Sequence, residues 1–328
     1  MILVTGGAGF IGSNLVAALE ERGLADIAVC DRLGSDEKWR NLGKRELAAL
    51  IAPEQLKDFL AAQPRGLDAI FHLGASSSTT ETDADFIIAN NFAVSQMLWD
   101  WCTATGTRFI YASSAATYGD GDAGFDDDGT PAGLAKLKPL NAYGWSKQLF
   151  DRRIARLIER SAPKPPQWAG LKFFNVYGPN EYHKGGQKSV VAQIFPRAQA
   201  HVPCHLFRSH RDGIPDGGQK RDFVYVRDSV AEMLFLYDHP EVSGLFNAGS
   251  GEARSFADLA TAVYRALSVE PRIHYIDTPV EIRDKYQYFT EAKMERIRTA
   301  GFTAAPTSLE DGVRDYVQNF LASADPYR

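Results

Sequence analysis

Eight residues near the start, "TGGAGFIG" (5–12), constrain the fold of this chain more than any other stretch. They follow the apolar run "ILV" and precede a run with helical periodicity, "SNLVAALEERG". Gly6, Gly9 and Gly12 fall where a strand must turn tightly into a helix, where backbone must approach a pyrophosphate, and where the helix must pack on the strand. The start of that helix offers unpaired N–H groups to phosphates. A second apolar run, "DIAVCD", then ends at Asp31. Strand, turn, helix and strand in that order form a dinucleotide-binding unit, whereas the same turn without a ligand is an ordinary α/β connection.

Apolar runs recur down the chain as "LDAIFHLGA", "RFIYASSAA" and "LKFFNVYGP", separated by helical stretches. Parallel strands need crossovers and are buried on both faces, so they read as continuous apolar runs. The expected class is therefore α/β, a doubly wound Rossmann parallel sheet. Between Asp31 and Leu67 the stretch "LAALIAPEQLKDFLAAQ" is compatible with a weak third strand or with helices alone. "RSAPKPPQWAG" reads as a surface connection to a strand beginning near Leu171, and "RSHRDGIPDGGQKRD" from Arg208 as a long loop that covers something. The stretch "PTSLEDGVRDYVQNFL" reads as a final capped amphipathic helix.

With 36 basic and 41 acidic side chains and no block of either sign, the chain is not expected to bind nucleic acid or a membrane surface. The opening lacks a positive leader, and no apolar run approaches the about 20 residues of a spanning helix. Cys30, Cys102 and Cys204 are odd in number and lack CxxC spacing, so neither disulfides nor a metal site is expected and a cytoplasmic location fits.

Two readings compete at the end of the second strand. Asp31 is placed to accept from a ribose hydroxyl, which favours NAD. Arg32 and Lys38 can instead hold a 2′-phosphate, and they tilt the expectation to NADP. Phe10 and Ile11 sit beside the phosphates or simply pack the helix start. Leu73, Gly74, Ala75, Ser76 and Ser77 follow His72 as small residues passing a cofactor, while His72 itself reads as a satisfied strand-end histidine.

Tyr143 and Lys147 in "YGWSKQLFD" are four apart, so on a helix they share a face. A phenol is a poor base at neutral pH, and a nearby ammonium together with an oxidised nicotinamide ring is expected to lower its pKa. Alone, the pair is as consistent with an exposed helical turn. Ser114, ending the run "RFIYASS" at the sheet's carboxyl edge, supplies a third polar group where ligands bind in such folds.

Taken together, the glycine triplet, Ser114, Tyr143 with Lys147, and "FFNVYGP" resemble the extended short-chain dehydrogenase/reductase family, whose members mostly act on nucleotide sugars. "FHLGASSSTTETD", "NVYGPNEYHKG", "KRDFVYVRD" and "YQYFTEAK" resemble its ADP-L-glycero-D-manno-heptose 6-epimerase branch, over nearly the whole chain. The resemblance implies an ADP-heptose substrate, inversion at C6 through a ketone, and NADP as hydride carrier. It implies two acid/base groups, Tyr143 and Lys184, with Lys184 also near the cofactor. Asn90 and Val176 are implied cofactor contacts. Asn175, His183, Gly186, Phe207, Arg208, Ser209, Arg221 and Tyr286 are implied substrate contacts alongside Ser114. Arg221 suits a diphosphate through its planar fork, or else pairs with Asp222.

The resemblance further implies a dinucleotide domain at 1–173 with 222–249 and a smaller α/β substrate-binding domain at 174–221 with 250–328, assembled as a homo-oligomer, a pentamer by the family pattern. Tyr182, "GGQKS" and the long loop after Arg208 depart from that pattern. A 4,6-dehydratase would need a carboxylate just after Ser114, where Ala115, Ala116 and Thr117 stand. A 4-epimerase would share the base and cofactor features, and a non-catalytic dinucleotide sensor would not need Ser114, Tyr143 and Lys147.

Overall fold

The computed structural model describes residues 1–283 and 286–328. In chain order its strands are β1 (Ile2–Thr5), β2 (Ile27–Cys30), β3 (Ala49–Ile51), β4 (Ala69–His72), β5 (Arg108–Ser114), β6 (Trp168–Phe173), β7 (Asn175–Tyr177), β8 (Cys204–Phe207), β9 (Lys220–Tyr225), β10 (Gly244–Ala248), β11 (Ala253–Ser255) and β12 (Ile273–Ile276). Seven of them form one sheet in the order β10-β6-β5-β4-β1-β2-β3. Every neighbouring pair in that sheet is parallel.

Side chains alternate across the strands, and the core divides accordingly. Val4 and Phe71 join Leu15, Leu19 and Met233 on one face, under the helices Phe10–Glu21 and Val226–Asp238. Leu3 and Ile70 join Leu98, Trp99 and Phe150 on the other, under Val94–Thr105 and Ala142–Glu159. Because both faces are covered, β1, β2 and β4 are buried at every position. Each such large apolar side chain contributes about 1.5–3 kcal/mol.

The winding reverses between β1 and β4, which opens a crevice beyond their carboxyl ends. Gly6, Leu73 and the end of β5 at Ser114 all lie at that edge. The open stretch before Leu67 does contain a strand, but β3 is a three-residue, half-exposed edge strand. β6 begins at Trp168, not near Leu171, since its register with β5 runs from Phe109↔Trp168. "LKFFNVYGP" is not one strand: after Phe173 the chain leaves the large sheet, and β7 pairs with β9. β11 lies antiparallel on β9, and β8 pairs with β12 in parallel. These strands pack with the helices Val190–Gln199, Phe256–Ala266 and Leu309–Tyr316 around a second core containing Val191, Val263 and Tyr316. No helix among the described residues is long and apolar enough to cross a membrane.

Candidate active site

The glycine turn leaves no room for side chains. A Cβ on Gly6, which has φ +70°, would lie 2.6 Å from the Gly74 amide nitrogen, and one on Gly12 would lie 2.1 Å from the Gly6 carbonyl. Gly9 begins the helix Phe10–Glu21 with no side-chain cap and no acid in the first turn. Its leading N–H groups therefore face a cavity of about 1030 Å³ without competition. Gly6, Gly9, Phe10, Ile11 and Gly12 all line that cavity. The turn is pinned from outside: the Ala8 amide donates to Asp31 (2.9 Å) and the Asn41 side-chain amide donates to the Ala8 carbonyl (2.9 Å).

Asp31 and Lys38 line the cavity as an ion pair at 2.7 Å, and the Lys38 ammonium also donates to the Arg32 carbonyl at 2.8 Å. The Arg32 side chain is exposed and paired with Glu54, and it does not line the cavity. Leu73, Gly74, Ala75 and Ser77 line the cavity as well. Ser76 does not: its amide and carbonyl are both held by the Asn91 side chain, at 2.8 and 3.0 Å. Asn90 bonds back to the Phe86 carbonyl (2.8 Å) and lies outside the lining. Buried Asn91 instead spans from Ser76 to the Ser146 hydroxyl at 3.0 Å. Both asparagines sit on a π-helical turn, Ile88–Ala93, whose wider register shifts which of them faces inward. His72 is buried between the Thr5 and Ser95 hydroxyls at 2.7 and 2.9 Å, and burial, then the charge of Lys147, depresses it to about 3.

Ser114, Tyr143 and Lys147 converge on the same cavity. Asn141 caps their helix by accepting from the Gly144 amide (2.8 Å), which puts Tyr143 in the first turn beside the end of β5. The Lys147 ammonium donates to the Ala112 carbonyl (2.8 Å) and lies 6.0 Å from the centre of the Tyr143 ring. The ammonium alone does not set the balance at the phenol. Burial raises the Tyr143 pKa, and only the Ser114 hydrogen bond opposes it. Burial also brings Lys147 down to about 8. Desolvation of both groups outweighs their mutual attraction.

A short helical turn, Tyr182–Gln187, brings Lys184, His183, Gly186 and Gln187 to the cavity from a separate part of the chain. The Lys184 amine lies 5.2 Å from the centre of the Phe10 ring, over the start of the glycine-turn helix. Burial lowers its pKa against the raising charge of Glu181. The His183 Nδ1 meets the Asn41 side-chain amide at 3.2 Å, so this histidine ties the turn to the Lys38 segment. Val176 lines the cavity, whereas Asn175 is exposed and does not.

The remaining sequence-predicted residues form a second cluster off the cavity. Phe207 and His210 pack edge-on against Tyr286 at 6.0 and 6.3 Å. Arg221 lies between the Tyr286 and Phe256 rings, 5.5 and 5.6 Å from their centres. Its guanidinium donates to the Lys220 and Gln287 carbonyls, and no carboxylate pairs with it among the described residues. Asp222 is not its partner. That carboxylate is buried and accepts from the Ser250, Gly251 and Ala292 amides at 2.7–2.9 Å. Arg208 is drawn to Asp277 and Asp216 on the surface, while Ser209 bonds within its own loop to Asp216 and Arg211. The Gln287 side chain bonds the Gly119 carbonyl, linking the cluster to the loop beyond Ser114.

Sequence reasoning missed Thr79, Thr80, Ser113, Phe174 and Gln187 in the lining. The Thr79 and Thr80 hydroxyls stand in "SSSTTETD", where a polar run gives no hint of which members face inward. No group of three or more His, Cys, Asp or Glu suited to a metal occurs among the described residues.

The chain matches the NAD dependent epimerase/dehydratase family over residues 2–249. It is 50% identical over 329 residues, the whole of both chains, to an ADP-L-glycero-D-manno-heptose-6-epimerase of Nitratidesulfovibrio vulgaris (strain DP4). It is 46% identical over 335 residues, again the whole of both, to a protein of the same name from Fusobacterium nucleatum subsp. nucleatum. The crystal structure of Helicobacter pylori ADP-L-glycero-D-manno-heptose-6-epimerase is similar to it with a TM-score of 0.80 at 28% identity, covering 98% of this chain and 96% of that one.

Proposed function

The chain belongs to the NAD dependent epimerase/dehydratase family, and from that premise we propose that it inverts C6 of ADP-D-glycero-D-manno-heptose to give the L-glycero epimer, the heptose precursor of lipopolysaccharide. The cofactor is a nicotinamide dinucleotide and the substrate a nucleotide sugar. The observation that carries the reading is that one cavity joins the glycine turn, the trio Ser114, Tyr143 and Lys147, and a second amine, Lys184, from a distant segment.

The cradle fits a dinucleotide: a Cβ at Gly6 or Gly12 would collide with backbone and push the turn out of its shape, and the uncapped helix start supplies the donors. A bound nicotinamide would supply hydride acceptance from C6 and hydride return to its opposite face. That sequence asks the protein to remove a proton from the C6 hydroxyl on one side and to give one back on the other. Burial leaves Tyr143 holding its proton and pushes Lys184 toward releasing its own. One group thus begins as acid and the other as base, and the roles exchange in the reverse direction. Ser114 orients the hydroxyl beside Tyr143. Lys147 contributes positive charge behind the phenol. Arg221, which no carboxylate pairs with among the described residues, offers a diphosphate, with Tyr286 and Phe207, a buried guanidinium.

NADP is the proposed carrier. Lys38 neutralises Asp31 at the ribose end, and the exposed Arg32 beside them is held only by Glu54, a surface pair that a 2′-phosphate can displace. In this reading residues 1–173 with 222–249 hold the dinucleotide and residues 174–221 with 250–328 hold the sugar, in a cytoplasmic homo-oligomer. The test is to incubate the purified protein with ADP-D-glycero-D-manno-heptose and follow the C6 configuration by NMR. Inversion is expected, and Tyr143→Phe and Lys184→Met should each suppress it while leaving the circular dichroism unchanged. No inversion, with brisk C4 turnover of UDP-galactose, overturns the substrate assignment.

A further inference from the structure

Behind the trio lies a buried set of charges that the proposed chemistry does not use. Asp151 is one helical turn beyond Lys147, on the same inward face, and is buried. Its carboxylate accepts from the Tyr111 phenol (3.0 Å) and the Ser113 hydroxyl (2.6 Å), both on β5. On the next strand the Lys172 ammonium approaches it to 3.5 Å, and neither side chain is more than 1% exposed. Lys172 also donates to the Thr117 hydroxyl (2.6 Å) and lies 4.5 Å from the centre of the Tyr118 ring.

The Lys172 ammonium thus lies at ion-pair distance from the carboxylate, while that of Lys147, one helical turn away and bonded to the Ala112 carbonyl, feels its charge across the buried space between them. An isolated charge there would be too costly to keep, so the carboxylate is what permits both lysines to remain charged. We propose that Asp151 is a positioning residue for Lys147, holding its ammonium charged at the back of the cleft, and that Lys172 limits this hold by competing for the same carboxylate. The inference rests on the reading that Lys147 acts on Tyr143 and the cofactor.

The other groups facing Lys147 do not replace Asp151. His72, on β4, is neutral at physiological pH. Tyr111, on β5, is kept protonated by burial and the adjacent carboxylate. Tyr143, on the same helix, keeps its proton through burial. Lys184, which lines the same cavity, can only add repulsion, and Asp31, also on the lining, is engaged by Lys38. Asp127 lies beyond Lys172, where its charge acts on that lysine. Consistent with this layout, burial lowers Lys147 and the charge of Asp151 works to raise it again.

The two members of the pair carry opposite signs, so their removal must act on Lys147 in opposite directions. In the full-length protein, the reactivity of Lys147 toward trace acetic anhydride, followed by mass spectrometry against pH, reports when the amine loses its proton and needs no substrate. Asp151→Asn should move that titration down, and Lys172→Met should move it up, each by about one pH unit or more. With ADP-D-glycero-D-manno-heptose, the alkaline limb of the kcat profile should move in the same two senses. Loss of kcat at every pH with both titrations unmoved, or movement of both variants in one direction, overturns the inference. If Asp151→Asn fails to fold, Lys172→Met decides alone. If the wild type does not act on the heptose, the labelling titration still tests the pair, so the two readings fail separately.

Discussion

Two glycines of one helix separate the cost of a clash from the cost of a backbone conformation. At Gly12→Ala the new Cβ would lie 2.1 Å from the Gly6 carbonyl. An ordinary carbon–oxygen contact is about 3.3 Å, so the helix start must move by about 1 Å away from the turn. The overpacking costs about 1–3 kcal/mol, and the better helix propensity of alanine returns about 1 kcal/mol. Net stability should thus fall by no more than about 2 kcal/mol. The same displacement takes the leading N–H groups off the phosphates, and losing one hydrogen bond to a charged group, about 1.5–3 kcal/mol, weakens binding by about ten- to a hundredfold. Gly23, just past the other end of that helix, has φ +79° and open space around its would-be Cβ. Its amide donates to Glu20 and that of Leu24 to Leu19, closing the helix through a left-handed residue. Gly23→Ala should cost about 1–2 kcal/mol of stability and leave dinucleotide binding untouched. Urea unfolding and NADPH fluorescence titration on both variants read the two quantities. Normal NADPH affinity in Gly12→Ala, or weakened affinity in Gly23→Ala, refutes the assignment of the cradle.

Three further outcomes follow from single side chains. Arg32→Ala should weaken NADPH by about tenfold, one charge-assisted contact, and leave NADH unchanged, as read by parallel titrations. Asn91→Ala should release both the Ser76 loop and Ser146, costing about 2–3 kcal/mol of stability and lowering kcat by more than about tenfold; wild-type kcat would show that the loop holds itself. Glu232 is buried with one carboxylate oxygen unpartnered, and burial, then the charges of Asp228 and Asp222, raises its pKa. A raised acid binds more protons folded than unfolded, so it weakens the fold as pH rises past the unfolded carboxyl value of about 4.3. Glu232→Gln should therefore gain about 1–3 kcal/mol at pH 8 and almost nothing at pH 4, and an equal effect at both pH values in thermal melts would rule this out.

What the sequence disclosed is what hard sterics and long runs control. Gly6 and Gly12 are legible because any side chain there collides with backbone, and the central strands because burial on both faces enforces unbroken apolar runs. β3 was ambiguous for the converse reason: "ALI" is short and lies half-exposed at an edge. Asn91 hid behind Asn90 because a π turn breaks the periodicity that would have chosen between them. Asp222 stands next to Arg221 in the chain, which suggested an ion pair, yet successive residues on a strand point to opposite faces and each found other partners. The four-residue spacing of Tyr143 and Lys147 shows a shared face, but it says nothing of desolvation, which raises the phenol and lowers the ammonium.

The same limitation bears most on Lys184, whose place is set by residues far from it in sequence. Glu181 is buried and accepts from the Ser189 amide, the Ser189 hydroxyl and the Tyr316 phenol. The Tyr182 phenol donates to the Pro326 carbonyl at 2.7 Å, and Asn180 accepts from the Arg328 amide at 3.0 Å. Asn41 draws in Asn180 and His183 at 3.0 and 3.2 Å from the cofactor side. A six-residue turn that would be mobile alone is thus fastened to the glycine turn, to the last long helix and to the end of the described chain. That fastening does two things at once. It carries the amine over Phe10, where under the proposed function it would face the sugar, and it buries the amine, which lowers its pKa in the direction a general base requires. Position and basicity have one cause, so loosening the turn at Tyr182 should degrade both together.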